Sequence, residues 1–318
     1  MAAAAVPRAL SRLCPRRWPA LARPAWTGGH RGHRGDSGTA GPARLRWARP
    51  AGAALAFLGG FSLFPRDAQE DGEDAIVLLL KRAKMGNVAY MQGQLDNAEK
   101  LYKAAMSYML AGDTKEDDNA ILEMSLKLAS IYAAQKQDKL AVAGYQFCIL
   151  TLEEKIAKQK DLPEDVLSAE EKANTRLLLG MSLDSYARYL LNINELSAAQ
   201  KMYEKALQIS NDVQGESHPQ SVVLMSDLAT VLDAQGRYEE AHTHCRRAAE
   251  LARDTQHPEE HMVLSNLAAI LMHKEDFLQA KQVYKEALKQ AQQKGDAASV
   301  QHIQEELAEL AKRRKGSK

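Results

Sequence analysis

Cysteine is rare in this chain: Cys14, Cys148 and Cys245 are the only three in 318 residues. Three thiols cannot build a disulfide framework, which excludes the small cross-linked scaffolds of secreted proteins. Cys148 and Cys245 fall at apolar helical positions and read as reduced core residues. Long hydrophobic runs are equally scarce. The stretch 51–64 carries no charge over fourteen residues, short of the about 20 that a full membrane crossing requires. Signatures of chemistry are missing too: there is no phosphate-cradling glycine loop, no H-E-x-x-H and no C-x-x-C pair. Gly28, Gly29, Gly32 and Gly35 lie outside any strand-to-helix context, where glycine spacing carries no weight. His242, His244 and Cys245 have the right atoms for a metal. On a helix, however, residues two apart point about 200° away from each other, so one ion cannot easily take both histidines.

Charge of one sign is missing from the start of the chain. Residues 1–66 contain no lysine and no glutamate, and Asp36 is their single acid against eleven arginines, a net charge of +10. The remaining 252 residues carry 31 basic and 40 acidic side chains, a net −9. An acidic body argues against nucleic acid as a partner, because binding there needs a basic face to displace counterions. Arginine-rich, acid-poor composition is the mark of a mitochondrial transit peptide. We read residues 1–70 as such a segment, including the apolar stretch 51–64 and the start of an acidic linker that has five acids between Asp67 and Asp74. If 51–64 inserts into a membrane, the flanking charges favour an N-terminus in the matrix. That would place the body in the intermembrane space, with the matrix side left open.

What the chain does have is a triplet of small, aromatic and small residues spaced A-x₃-Y-x₂-A. It occurs as Ala98-Tyr102-Ala105, Ala141-Tyr145-Cys148, Ala199-Tyr203-Ala206, Ala241-Cys245-Ala248 and Ala280-Tyr284-Ala287. Successive leading alanines are 43, 58, 42 and 39 residues apart. Residues at i, i+4 and i+7 share one helical face, so each triplet is the inner stripe of one helix. Most triplets follow a second apolar stripe, such as Leu224-Leu228-Ala229-Leu232 before the fourth and Leu264-Leu267-Ala268-Leu271 before the fifth. Short turns join the two, Gln235-Gly236-Arg237-Tyr238 in one repeat and Lys274-Glu275-Asp276-Phe277, without glycine, in another. A helix–turn–helix unit recurring at this period specifies a stacked solenoid.

The repeats are expected at about 79–110, 120–155, 176–212, 220–254 and 259–294, within a domain spanning 75–312. A capping helix follows at 296–312, where Ala297, Val300, Ile303, Leu307 and Leu310 make one stripe, and then a basic tail at 313–318. The 58-residue interval reads as two elongated helices around Pro163, with Ser168 and Glu171 as a capping box. His218-Pro219 and His257-Pro258 each read as the start of a helix pair. In the first module Arg82 and Lys84 interrupt the apolar stripe before Met85-Gly86-Ala89.

These units resemble the tetratricopeptide repeat family, an all-α superhelix whose members bind other proteins and carry no chemistry. The run Gly215–Gln220, with Asp227–Leu232 and Gln235–Ala241, resembles repeats of the kinesin-light-chain type. Asn119–Gln135, Val142–Cys148 and His261–His273 resemble a mitochondrial inner-membrane branch of the family more specifically. That resemblance implies a non-enzymatic factor for respiratory complex III, acting on the Rieske iron–sulfur subunit and the clearance of its processing fragments. It implies no cofactor, no metal and no small-molecule substrate. A cytosolic adaptor of the kinesin-light-chain type is the alternative. In the family the first helix of each unit lines a concave wall. The residues placed near it here are Asp184, Arg188, Ser226, Thr230, Asp233, Ser265, Asn266 and Met272. The Lys/Asn clamp of chaperone-binding members is absent, which disfavours a chaperone adaptor. One departure stands out: the family has a further helical stretch between the segments resembling Ile76–Lys84 and that starting at Met85, which are joined directly here.

Overall fold

The structure, a computed structural model, describes residues 72–316 apart from 113, 161, 164 and 165, with side chains described between Lys81 and Arg314. Residues 1–70, read above as a transit peptide, and with them the apolar stretch 51–64, lie outside the described residues. Eleven helices and no strand occur among those described: α1 Gly72–Met91, α2 Leu95–Ala111, α3 Asn119–Ala134, α4 Asp138–Gln159, α5 Ala169–Asn192, α6 Leu196–Gln214, α7 Pro219–Ala234, α8 Tyr238–Asp254, α9 Glu260–His273, α10 Phe277–Lys294 and α11 Ala297–Gly316. They stack as five antiparallel pairs closed by α11.

Local chemistry sets the helix ends. Asp118 accepts from the Ala120 amide, and Asp276 from that of Gln279. Ser168 and Glu171 form the reciprocal capping box at α5. At α7 the His218 ring accepts from the Gln220 amide, and Pro219 fills the first turn, where no donor is needed. His257 acts differently, because α9 begins at Glu260, beyond Pro258. Its Nδ1 accepts from the Glu259 amide, which leaves the proton on Nε2 to meet the Pro219 carbonyl 3.2 Å away in the preceding repeat. Every turn inside a helix pair passes through one left-handed residue: Gly93, Lys136, Asn194, Gly236 and Glu275. Only two of the five are glycine.

All fifteen triplet residues are buried. Tyr102, Tyr203 and Tyr284 are among the largest fully enclosed side chains, each worth roughly 1.5–3 kcal/mol of burial against exposure. The phenol tips find partners on a neighbouring helix. Tyr102 donates to Asn87 at 2.6 Å and Tyr145 to Ser130 at 3.3 Å. Each partner stands fifteen residues before its tyrosine.

Three features depart from regular spacing. The 58-residue interval arises because α4 and α5 are extended, to 22 and 24 residues against 17 for α2 and 16 for α3. Helix α1 runs unbroken past the charges, because Lys84 lies outside and Arg82 is half-buried while Ala83, Gly86 and Ala89 face inward. Met85, grouped with that stripe in sequence, instead lies at the surface. Helix α11 continues through the basic run to Gly316, with Arg313 bonded to Glu309 at 3.3 Å. Cations there also oppose the negative end of the helix dipole.

Candidate partner-binding wall

First helices of neighbouring repeats touch one another, α3 with α5, α7 with α9, and α9 with the terminal α11. Second helices pack chiefly against the first helices on either side. The first helices therefore follow the inner, shorter arc of the stack, and their remaining polar groups make its inner wall.

Counted back from the leading alanine of each triplet, the eight wall residues fall on four register positions. Asp184, Ser226 and Ser265 share the position fifteen before it, and all three are buried. Arg188 and Thr230 share the position eleven before, which in the first two repeats holds Asn87 and Ser130, the tyrosine partners. Asp233 and Met272 share the position eight before, and Asn266 stands fourteen before. Arg188, Thr230, Asp233 and Asn266 are half-buried and retain solvent contact, whereas Met272 is enclosed.

The centre of the wall is an ion-paired hub. Arg188 reaches both carboxylate oxygens of Asp184, at 2.9 and 3.0 Å, and Asp227 of the next repeat at 3.9 Å. The Asp184 charge holds the guanidinium well above its ordinary range, and Tyr203 and Asp227 reinforce this. The same cation opposes the effect of burial on Tyr90, whose phenol is pushed up to about 12 and has no hydrogen-bond partner among the described residues. Nearby, Tyr145 stacks on Tyr186 at 5.3 Å between centroids, and Tyr189 closes the cluster at 5.8 Å from Tyr145. Tyr189 donates to Asp138 at 3.0 Å, and burial first, then that bond, raise its phenol to about 12.

Farther along, Asn266 donates to Ser226 at 2.9 Å, and the His273 ring meets Asp233 at 2.8 Å. These bonds tie α9 to α7. Where the fourth triplet has Cys245 in place of tyrosine, Thr230 has no phenol to meet and donates to the Ser226 carbonyl of its own helix. Ser265, next to Asn266 in sequence, is buried beside this seam. Sequence reading omitted Asp227 and His273, the partners that close the hub and hold Asp233. Asp227 shares its register position with Asn266, so repeat alignment was the signal that could have found it.

The wall offers charge pairs, hydroxyls and aromatic edges held by cross-repeat bonds. Cys148 is fully enclosed, and burial pushes its thiol up, away from nucleophilic use.

Comparison with known proteins agrees with this architecture. A family model described as "Tetratricopeptide repeat" matches residues 171–254. The chain is similar to "Tetratricopeptide repeat protein 19, mitochondrial" of Homo sapiens, 66% identical over 229 residues, a match covering 72% of this chain and 60% of the human protein. It is 52% identical to the Rattus norvegicus protein of that name over 316 residues, covering 86% of each. Those 316 aligned positions exceed 86% of this 318-residue chain, so the rat protein has residues within the match that lack a counterpart here. Among solved structures, BtubC (BKLC) from P. vanneervenii superposes with a TM-score of 0.58 at 15% identity, over 77% of this chain and 90% of that one. At that identity the likeness speaks for the fold alone.

Proposed function

Because this chain belongs to the tetratricopeptide repeat protein 19 family, we propose that it is a mitochondrial binding scaffold for respiratory complex III. In this reading it engages the complex and its Rieske iron–sulfur subunit, promotes clearance of that subunit's processing fragments and performs no reaction itself. The match to the rat protein, covering 86% of each chain, is the observation that carries the reading. Its relatives are named mitochondrial, which agrees with the arginine-rich start of the chain. The repeat fold is an interaction scaffold, and its inner wall is the surface we assign to the partner. Arg188, Thr230, Asp233 and Asn266 would touch it, supported from beneath by Asp184, Ser226, Ser265 and Met272. No helix among the described residues is long and apolar enough to cross a membrane. Association with the inner membrane would therefore run through the partner or through residues 51–64.

Affinity purification of the full chain from mitochondria tests this. The wild type should retrieve complex III subunits, the Rieske protein among them. Thr230→Arg should lose them while staying folded, because Thr230 bonds only within its own helix among the contacts described. A folded, imported bait that retrieves no complex III subunit overturns the reading. Fusing residues 1–70 to a fluorescent reporter tests the compartment separately, and a diffuse cytosolic signal would point to the adaptor alternative.

A further inference from the structure

The second helices turn one face outward, and the repeats provide an internal control for what belongs there. The outward positions lie one before the leading alanine and two, six and nine after it. Helix α8 fills them with Glu240, Thr243, Arg247 and Glu250, all exposed, and α10 fills them with charged and amide side chains. Helices α2 and α6 place nothing apolar larger than alanine there. Helix α4 is the exception, with Leu140, Ala143, Phe147 and Leu150. Leu140 and Leu150 are each 38% exposed, and Phe147 and Ala143 are half-covered. At about 100° per residue the four lie within about 80° of the helix circumference, a continuous apolar stripe. A solvated face has no reason to be apolar in one repeat of five, and α4 is also the longest of the second helices, at 22 residues.

We propose that this stripe is where a second copy of the chain docks, with the two α4 helices packed antiparallel about a twofold axis. The pattern of the stripe argues for that occupant, because it is its own complement under such an axis. Leu140 and Leu150 each stand five residues from Tyr145, and Ala143 and Phe147 each stand two away. Antiparallel pairing about Tyr145 sets each leucine on its counterpart and each phenylalanine over the partner's alanine, a large residue into a small gap. The flanking charges have the same symmetry. Lys136 and Lys139 mark one end of the stripe, and Glu153 and Glu154 mark the other, with Lys158 a turn farther on. Asp138 and Lys155 are taken up within the chain, by Tyr189 and by Asp117 and Asn119. Antiparallel helices place cations against acids, while parallel ones would oppose like charges. Glu153 lies 3.6 Å from Lys205 of α6, a surface pair that leaves it 41% exposed. One helix face buries less than the about 1,200–2,000 Å² of a standard interface, so a weak dimer is expected.

Sedimentation of the full chain across a concentration series reads this out. The wild type should pass from monomer to dimer in the range of about 10–100 µM. Leu140→Gln with Leu150→Gln should shift the midpoint upward by about tenfold or more with unchanged helical content, since both side chains already face solvent. Lys139→Glu and Glu154→Lys should each weaken association, and the two together should restore it, which only the antiparallel arrangement predicts. The proposal fails if the wild type stays monomeric at about 1 mM, or if the leucine variant still dimerises. It also fails if the double charge reversal is no better than the single ones. A monomer that instead cosediments with phosphatidylcholine vesicles through these leucines would assign the face to lipid and overturn the dimer.

Discussion

Gly86 and Gly180 both sit in helix interiors, yet their surroundings predict opposite outcomes for one added methyl. A Cβ at Gly86 would stand 3.2 Å from the Tyr102 ring, which is held in place by its hydroxyl bond to Asn87. At Gly180 the nearest group is the Ile209 methyl at 3.5 Å, an ordinary contact. Gly86→Ala should therefore lower stability, with overpacking of about 1–3 kcal/mol outweighing the gain in helix propensity. Gly180→Ala should raise it by up to about 1 kcal/mol, both read from denaturant midpoints. Glu275 occupies the left-handed turn position that Gly236 fills in the preceding repeat. Glu275→Gly should be stabilising by about 1 kcal/mol and Gly236→Ala destabilising by a similar amount. The triplet tyrosines and alanines were legible in sequence because a helix face has a fixed period. The crowding at Gly86 was not, since it depends on which ring crosses α1.

Helix α11 closes the stack through its first turn. Asp296 accepts from the Ser299 amide at 3.1 Å and from the Ser299 hydroxyl at 2.7 Å, and it meets the buried His261 ring at 3.1 Å. These contacts, the Ser299 bond foremost, hold its carboxyl below the usual carboxylate range. The folded chain thus binds that proton more weakly than the unfolded chain. The resulting stability is complete above the ordinary carboxyl value of about 3.9 and drains away as pH falls toward the lowered folded value. Asn is also a good cap, so Asp296→Asn removes the charge and keeps the turn. The variant should melt below the wild type at pH 7, and the gap should narrow toward pH 3. A gap that is constant with pH would mean the carboxylate charge contributes nothing. The caps at Ser168 and Asp296 could be read from residue type and spacing alone. The latch by His257 could not, because its second bond reaches a carbonyl 38 residues away.

A solenoid is held by its nearest-neighbour seams, so its weakest or costliest seam shapes the behaviour of the whole. Fold class was legible because each unit repeats the same stripe. The wall was legible only in part, since which polar residues pair across repeats depends on register between helices about 40 residues apart. The seam from α5 to α7 illustrates this. It joins Arg188 to Asp184 and Asp227, and both carboxylate side chains are only 10% exposed. Removing the cation alone leaves two nearly buried acids facing each other, so Arg188→Ala should cost about 3–5 kcal/mol. Charge reversal at Asp184 is for the same reason a poor probe of binding, because lost capture there would also follow from a lost fold. Replacing the whole group, as Asp184→Leu, Arg188→Met and Asp227→Leu together, removes the desolvation penalty along with the attraction. That triple variant should unfold within about 1 kcal/mol of the wild type. If the wall is the binding surface, it should also fail to retrieve complex III despite its intact stability. Equal damage from the single and triple variants would show that the hub acts by packing rather than charge. Full retrieval by a stable triple variant would move the partner to another face of the stack.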